Sequence, residues 1–423
     1  MRNRNLFKKI IFAAILIGII FSLLAPVIFS QTPRQEKLLN GLKVLMWTDA
    51  KADKISVRLR IHAGAAFDPQ GKEGTMQMLA NSLFPNAASR EFFVEDLGGD
   101  LDIVTNYDFI EINASSRPEG LLTMLETIST AVANPTIDKE TTGAVRTALT
   151  AKVTELESEP SYVVDQAVTK RLFGTFPYGR PVMGSASSLE KISFADLIDA
   201  RQRFLTADNA TLAVTGNFDR TLTFRAIRRY FGSWLKSDRP VPLTFRQPDP
   251  PTAEVQSVPS PQPGTTMVRI AARGVARNER TFPASMVYAE VLRQRLRTRL
   301  GAENTENVVV RNAAYALPGM LMIGYSLRPS NGKPDPTAVI SKVLSDPVTE
   351  AEFSSAKAAF AETWSKKDRV SFWLDADTYK IASIDPDIRL AESVSLADIR
   401  AYADKLRTLP VATVLLVAPV PST

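Results

Sequence analysis

Strict alternation of apolar and polar positions sets in at Ile55. Ile55, Val57, Leu59, Ile61 and Ala63 are apolar, and Ser56, Arg58, Arg60 and His62 stand between them. A period of two predicts a half-buried strand whose polar face carries a histidine and two arginines. The apolar run Leu42 to Trp47, behind the turn signal Asn40-Gly41, predicts a strand before it. The period changes at Gly74-Thr-Met-Gln-Met-Leu-Ala-Asn-Ser-Leu-Phe84. There Met76, Leu79 and Leu83, joined by Ala80 and Phe84, fall on one helical stripe. Gln77 and Asn81, four apart, share a different face, with Ala80 beside them.

Beyond this helix, Leu97-Gly-Gly-Asp-Leu-Asp102 turns into strands near 101–106 and 108–114, with Asp100 and Asp102 expected to face solvent. Leu121, Leu125, Ile128 and Val132 predict a helix ending at Asn134-Pro135. Helices follow over about 139–157 and in the Val163–Phe173 region. A turn-rich loop covers Leu172 to Pro181, and a helix opened by Ser193 or Asp196 leads to an apolar strand, Thr211 to Thr215. Residues 237–264 hold eight prolines, which rules out helix and central strand and reads as a linker. A strand from Thr266 to Ala272 starts the second body. In its helix Glu290 to Leu300, Leu292, Leu296 and Leu300 take one side. Arg293, Arg295, Arg297 and Arg299 project elsewhere, as a solvated face or as contacts for the carboxylates of a peptide or partner. The charge clusters Lys366 to Arg369 and Asp375-Ala-Asp377 read as surface.

A short repeat ties the halves together. Ser193-Phe-Ala-Asp196 precedes the strand that begins at Thr211, and Ser395-Leu-Ala-Asp398 precedes the strand that begins at Thr413, with the same 18-residue offset. The architecture this predicts is α+β: two duplicated domains, over 33–236 and 265–423, joined by the proline-rich stretch.

Composition narrows the chemistry. The chain has 423 residues, a net charge of +6, no cysteine and a single histidine. Disulfides and thiolate metal sites are excluded. A zinc hydrolase usually needs two or three histidine ligands, and a Ser–His or Cys–His catalyst needs one at the site. The mild basicity comes without a compact basic and aromatic motif, so nucleic acid is not an expected partner. Arg2, Arg4, Lys8 and Lys9 precede an uncharged run from Ile10 to Phe29. That is the pattern of a signal anchor or signal peptide over residues 1–31. It would hold the chain in the membrane through residues 10–29, or direct it there, with the body on the far side, the periplasm in a Gram-negative cell.

Taken in order, several segments resemble the pitrilysin/insulinase-type zinc peptidases, which include mitochondrial processing peptidase and the core proteins of a respiratory complex. Asn40-Gly-Leu-Lys-Val44 is similar to the family's opening strand. Ala63-Gly64, Gly74 and Leu83-Phe84 frame its zinc helix. Leu97-Gly-Gly99, Asn134-Pro135, Phe176-Pro-Tyr-Gly179, Pro181 and Gly184 follow in the family's order. Asn209 to Asp219, with Tyr230-Phe-Gly-Ser-Trp234, is similar to its domain-closing segment. Active members carry His-x-x-Glu-His on the helix and a later glutamate as third ligand. By the resemblance these fall on Gln77, Ala80 and Asn81, and on Ala151 or Lys152, with Glu155 and Glu157 nearby. A substrate-holding arginine falls at Arg295 or Arg299, and the tyrosine position at Asn307. The resemblance therefore implies a member without zinc of its own. The expected partner is an active zinc peptidase homologue or a second copy of this chain, with an extended peptide clamped between them. A scaffolding subunit of a membrane complex is the alternative, and a peptidase with an atypical site is a further one.

Overall fold

The computed structural model describes residues 33–237, 241, 244–301, 308–327 and 337–418. The expected anchor at 1–31 and Asn307 lie outside them. Among the described residues no helix is long and apolar enough to cross a membrane.

The first half contains strands β1 (Arg34–Lys37), β2 (Lys43–Thr48) and β3 (Ile55–Ile61), then helices α1 (Thr75–Asn81) and α2 (Ala87–Glu95). Strands β4 (Asp100–Thr105) and β5 (Ile110–Ser116) follow, then helices α3 (Leu121–Ala133), α4 (Lys139–Glu157), α5 (Pro160–Phe173) and α6 (Phe194–Phe204). Strand β6 (Ala210–Gly216) and helix α7 (Arg220–Phe231) close it. The second half contains β7 (Val255–Pro259), β8 (Thr266–Arg273), α8 (Phe282–Leu300), β9 (Val309–Ala313) and β10 (Met320–Leu327). Helices α9 (Ala338–Ser345), α10 (Glu350–Ser365), α11 (Arg369–Tyr379) and α12 (Leu396–Arg407) lead to β11 (Val411–Val417).

The two sheets show the duplication directly. Strand order is β1-β2-β6-β3-β5-β4 in one and β7-β11-β8-β10-β9 in the other. In each, the last strand of the half inserts between two earlier ones, parallel to β2 or β7 on one side and antiparallel to β3 or β8 on the other. The repeated Ser-x-x-Asp motifs make equivalent helix starts. Ser193 caps α6 and Ser395 caps α12, and in both cases an Asp three residues on bonds back to the cap in a capping box. The proline-rich stretch is more than a linker, because it supplies β7. Proline is tolerated there because β7 is an edge strand, and Pro259 ends it opposite Val417.

Each half lends a helix to the other. Helix α5 leaves the first half and lies on β8 and β11 of the second sheet, where Val164, Val168 and Leu172 bury against Ala271, Met322 and Val414. Helix α11 makes the reciprocal move, placing Val370 and Leu374 on Leu45 and Ala213 of the first sheet. Each fully buried aliphatic side chain contributes about 1.5–3 kcal/mol, so α5 fastens the halves largely by apolar contact. Helix α11 adds an ionic seam. Arg60 contacts Glu111 at 2.5 Å and Asp375 at 2.8 Å, and Arg58 reaches Asp368 at 2.9 Å. Lys367 also pairs with Asp375, and Lys43 with Asp377. The expectation that Asp375 and Asp377 lie on a free surface is therefore corrected: they anchor α11 to the polar face of β3. Alternation gave that face its polarity but not the helix that covers it.

Candidate functional site

Helix α1 is built to be held rigidly. Gly74 caps it at φ +95°, a left-handed backbone that suits glycine. Asp68 accepts hydrogen bonds from the main-chain nitrogens of Gly74 at 2.7 Å and Met76 at 2.8 Å, satisfying donors that a helix start leaves open. Burial raises the Asp68 pKa to about 7, against the pull of those two bonds. No pattern in the sequence singles out Asp68. Its signal is a local turn ahead of Gly74, and spacing alone does not reveal the cap.

The stripe Met76, Leu79 and Leu83 buries in the first core, as the period predicts, and Ala80 is completely buried with it. Gln77 and Asn81 are half-buried on the adjoining face. The Gln77 amide donates to the Asn81 carbonyl oxygen at 3.0 Å. Helix α4 packs on α1 and carries Ala151 and Lys152, both exposed, with Lys152 contacting Glu155 at 2.8 Å. These residues do not fit a zinc ion. Two mutually bonded amides, a buried methyl and an ammonium replace the imidazoles and carboxylates that zinc takes. Among the described residues, no three His, Asp or Glu side chains converge as a metal site. A methyl at Ala80 carries no proton, and neither the Gln77 nor the Asn81 amide is basic enough to activate water.

The histidine is equally unsuited to catalysis. His62 Nε2 lies 3.0 Å from both the Thr211 hydroxyl and an Asp377 carboxylate oxygen, and Nδ1 lies 3.2 Å from the Thr378 hydroxyl. Burial lowers its pKa, against the opposing pull of Asp377. Burial also works against the Asp377 charge, but bonds from His62, Lys43 and Thr211 hold its pKa well below the carboxylate range. Both ring nitrogens are engaged in the seam beneath α11, as a hydrogen-bonded strand histidine.

The four arginines of α8 separate into different roles. Arg295 is buried and cannot serve as a peptide contact. It forks onto Glu352 at 2.7 and 2.8 Å and donates to the carbonyls of Val343, Asp346 and Pro347. Leucine spacing misassigns it because the guanidinium folds back to gather the turn between α9 and α10. Arg293 pairs with Glu290 and donates to the Val310 carbonyl at 2.8 Å, and Arg299 contacts Asp346 at 2.5 Å. Arg297 remains exposed. Asp100 and Asp102 face solvent, as expected.

Comparison with known proteins matches the chain to one peptidase family in both halves. The family described as Insulinase (Peptidase family M16) matches residues 43–186, and the one described as Peptidase M16 inactive domain matches residues 191–360. The beta subunit of mitochondrial-processing peptidase from Saccharomyces cerevisiae is 24% identical over 223 residues, covering 51% of this chain and 48% of that protein. The chain thus spans about half the length of several curated relatives that it matches. A crystal structure titled peptidase M16 inactive domain, from Pseudomonas fluorescens, superposes with a TM-score of 0.79 at 19% identity, over 93% of this chain and 99% of that one. The first half of the periplasmic protease PqqL from Escherichia coli gives 0.69 at 16% identity, over 92% of both chains.

Proposed function

The chain belongs to the insulinase-type M16 peptidase family, and on that premise we propose that it is a non-catalytic member that pairs with an active zinc peptidase in the cell envelope. The observation that carries this reading is the face of α1, where Gln77 bonds to Asn81 and Ala80 is sealed in the core. Zinc proteolysis needs a Lewis acid to polarise the carbonyl and a base to take a proton from water. This face provides neither, while the helix, its cap and its packing are intact. In this reading the chain holds no zinc. The ion sits in the partner, and this chain forms one wall of a chamber for an extended peptide. Exposed Arg297 is available to carboxylates of that peptide or of the partner. Pairing is supported by the yeast relative being a subunit, and an envelope location by the N-terminal pattern and the periplasmic neighbour.

The test is capture of the tagged full chain from envelope extracts of its own host, with zinc content and peptidase activity measured for the chain alone and for any captured homologue. The expected result is no zinc and no activity alone, with both present in a complex with a His-x-x-Glu-His homologue. Stoichiometric zinc and chelator-sensitive cleavage by the lone chain would overturn the reading. Capture of membrane proteins without a peptidase would favour a scaffolding role, and self-association alone would replace the heterodimer by a homodimer.

A further inference from the structure

A large cavity in the described structure lies away from α1. It has a volume of about 1150 Å³ and lies between the end of α5, the turn at 173–180, residues 66–70 and the segment 244–252 that crosses to β7. Small-molecule pockets run to roughly 300–1,000 Å³, so this one suits a longer, chain-like ligand. A second cavity of about 480 Å³ adjoins it, sharing Gln70, Lys170 and Arg180 in its walls.

Two features of the lining narrow the chemistry. Five cations, Lys170, Arg171, Arg180, Arg203 and Arg246, face two acids, Asp68 and Asp249. Lys170, Arg203 and Arg246 are exposed. Arg171 is tied by one end of its guanidinium to Thr252 and Glu254, while its Nε is buried without a hydrogen-bond partner. The floor is aromatic. Phe67 lies 5.1 Å from Phe204 and 5.6 Å from Phe245, and Phe176 lies 6.2 Å from Phe245 between ring centroids. One wall is β7, an edge strand that presents Gln256 and Val258 to the cavity. Cations around tilted and edge-on phenyl rings select a ligand with negative charge and apolar bulk together. A cavity of this volume walled in part by an edge strand favours an extended one.

We propose that this cavity binds an extended acidic peptide segment, with carboxylates at Lys170, Arg203 and Arg246 and an apolar or aromatic side chain on the phenylalanine floor. The site does not depend on a zinc-bearing partner, so it stands or falls separately from the reading of α1.

The test uses the full chain without added partner and three fluorescein-labelled ten-residue peptides read by anisotropy: alternating Glu and Phe, alternating Lys and Phe, and alternating Glu and Ser. The expected result is binding of the first alone. It should weaken at least about tenfold in the K170E/R203E/R246E variant and fall with rising salt. These three positions are exposed and the Arg203 contact with Asp199, at 3.6 Å, is an exposed pair, so the variant should stay folded with only a small fall in its unfolding temperature. Equal binding of the Lys-Phe peptide, or unchanged binding by the variant, would overturn the proposal. Equal binding of the Glu-Ser peptide would reduce the cavity to a simple anion site and overturn the peptide assignment. A Q77A/N81A variant should keep Glu-Phe binding, because neither residue lines the cavity, and loss of binding in it would overturn the proposal.

Discussion

Arg60 and Asp375, 315 positions apart in sequence, meet at 2.8 Å beneath α11. Their counterpart is Arg269 of β8 with Asp165 of α5, at 2.7 Å. In both cases an arginine from a sheet in one half pairs with an aspartate on the helix lent by the other. The exchange of arms is thus fixed twice, once in each direction. Arg60 also lies over the Phe109 ring at 4.0 Å, so its guanidinium is enclosed by charge and aromatic surface together.

Removing Asp375 should therefore loosen the junction between the halves. Asp375→Ala leaves a buried guanidinium with Glu111 as its remaining carboxylate, and Lys367 without its own. Breaking a buried pair costs about 3–5 kcal/mol, and because Glu111 stays the expected loss is at the low end, about 3 kcal/mol. Urea denaturation should show it. Glu362→Ala removes only the exposed pair with Lys366, and should leave the urea midpoint unchanged. Equal effects of the two changes would mean that the seam under α11 contributes little.

Asp68 makes the cap of α1 sensitive to pH. Its pKa is raised by burial to about 7, above the ordinary value of 3.8 expected once the chain unfolds. Between those values the folded state holds more protons than the unfolded one. The stability from the protonated group is complete below about pH 4 and is lost as pH rises towards 7. The advantage of the wild type over Asp68→Asn should therefore shrink between pH 4.5 and 7.5, by an amount on the order of 1–3 kcal/mol. Denaturation of both proteins at the two pH values checks this, and an advantage that grows with pH would refute it.

Much of this architecture was legible in the sequence because it is local. The alternation at Ile55–Ala63, the stripe through Met76 and Leu79, and the Ser-x-x-Asp caps each report a backbone period or a helix start. Glycine was legible for a similar reason. A side chain on Gly64 would lie 2.1 Å from the Asn106 carbonyl oxygen, so the position tolerates no Cβ. The chemistry open to Gln77, Ala80 and Asn81 was equally direct, since two amides and a methyl carry no imidazole or carboxylate. What stayed hidden depends on partners far along the chain. Asp375 and Asp377 read as surface because α11 is polar, and nothing local shows that its charges meet Arg60, Lys43 and His62. Arg295 read as an outward arginine because helical spacing fixes a direction for Cβ but not for a guanidinium several bonds further out. The eight prolines suggested a linker, and only pairing with β11 shows that part of it is a strand.

Arg295 and Arg297 provide a contrast on one helix. Arg295→Lys keeps the charge but loses the fork onto Glu352 and most of the three carbonyl bonds, so it should cost about 2–3 kcal/mol. Arg297→Lys should be within about 0.5 kcal/mol of the parent. The Arg295 guanidinium holds Glu352 down at about 2, below its ordinary 4.5. That contribution is present above pH 4.5 and is lost as pH falls towards 2. The parent's advantage over Arg295→Lys should therefore narrow in acid. An advantage that holds steady between pH 6 and pH 2.5 would show that the ion pair contributes little and that packing dominates.

Introducing His-x-x-Glu-His at positions 77–81 tests whether this helix can accept a zinc site. Gln77→His with Asn81→His changes two half-buried positions on an open face, and the double variant should fold and take up zinc weakly. Ala80→Glu is different, because the methyl it replaces is completely buried among Met76, Leu79 and the rest of the first core. A carboxylate there has no partner, and burying it should cost about 3 kcal/mol or more unless it stays protonated. The triple variant should therefore be much less stable than the double one in the absence of zinc, and added zinc should recover part of the difference by mass action. Calorimetry with and without zinc separates the two contributions. A triple variant as stable as the parent without metal would mean that the core around Ala80 has room for a carboxylate side chain.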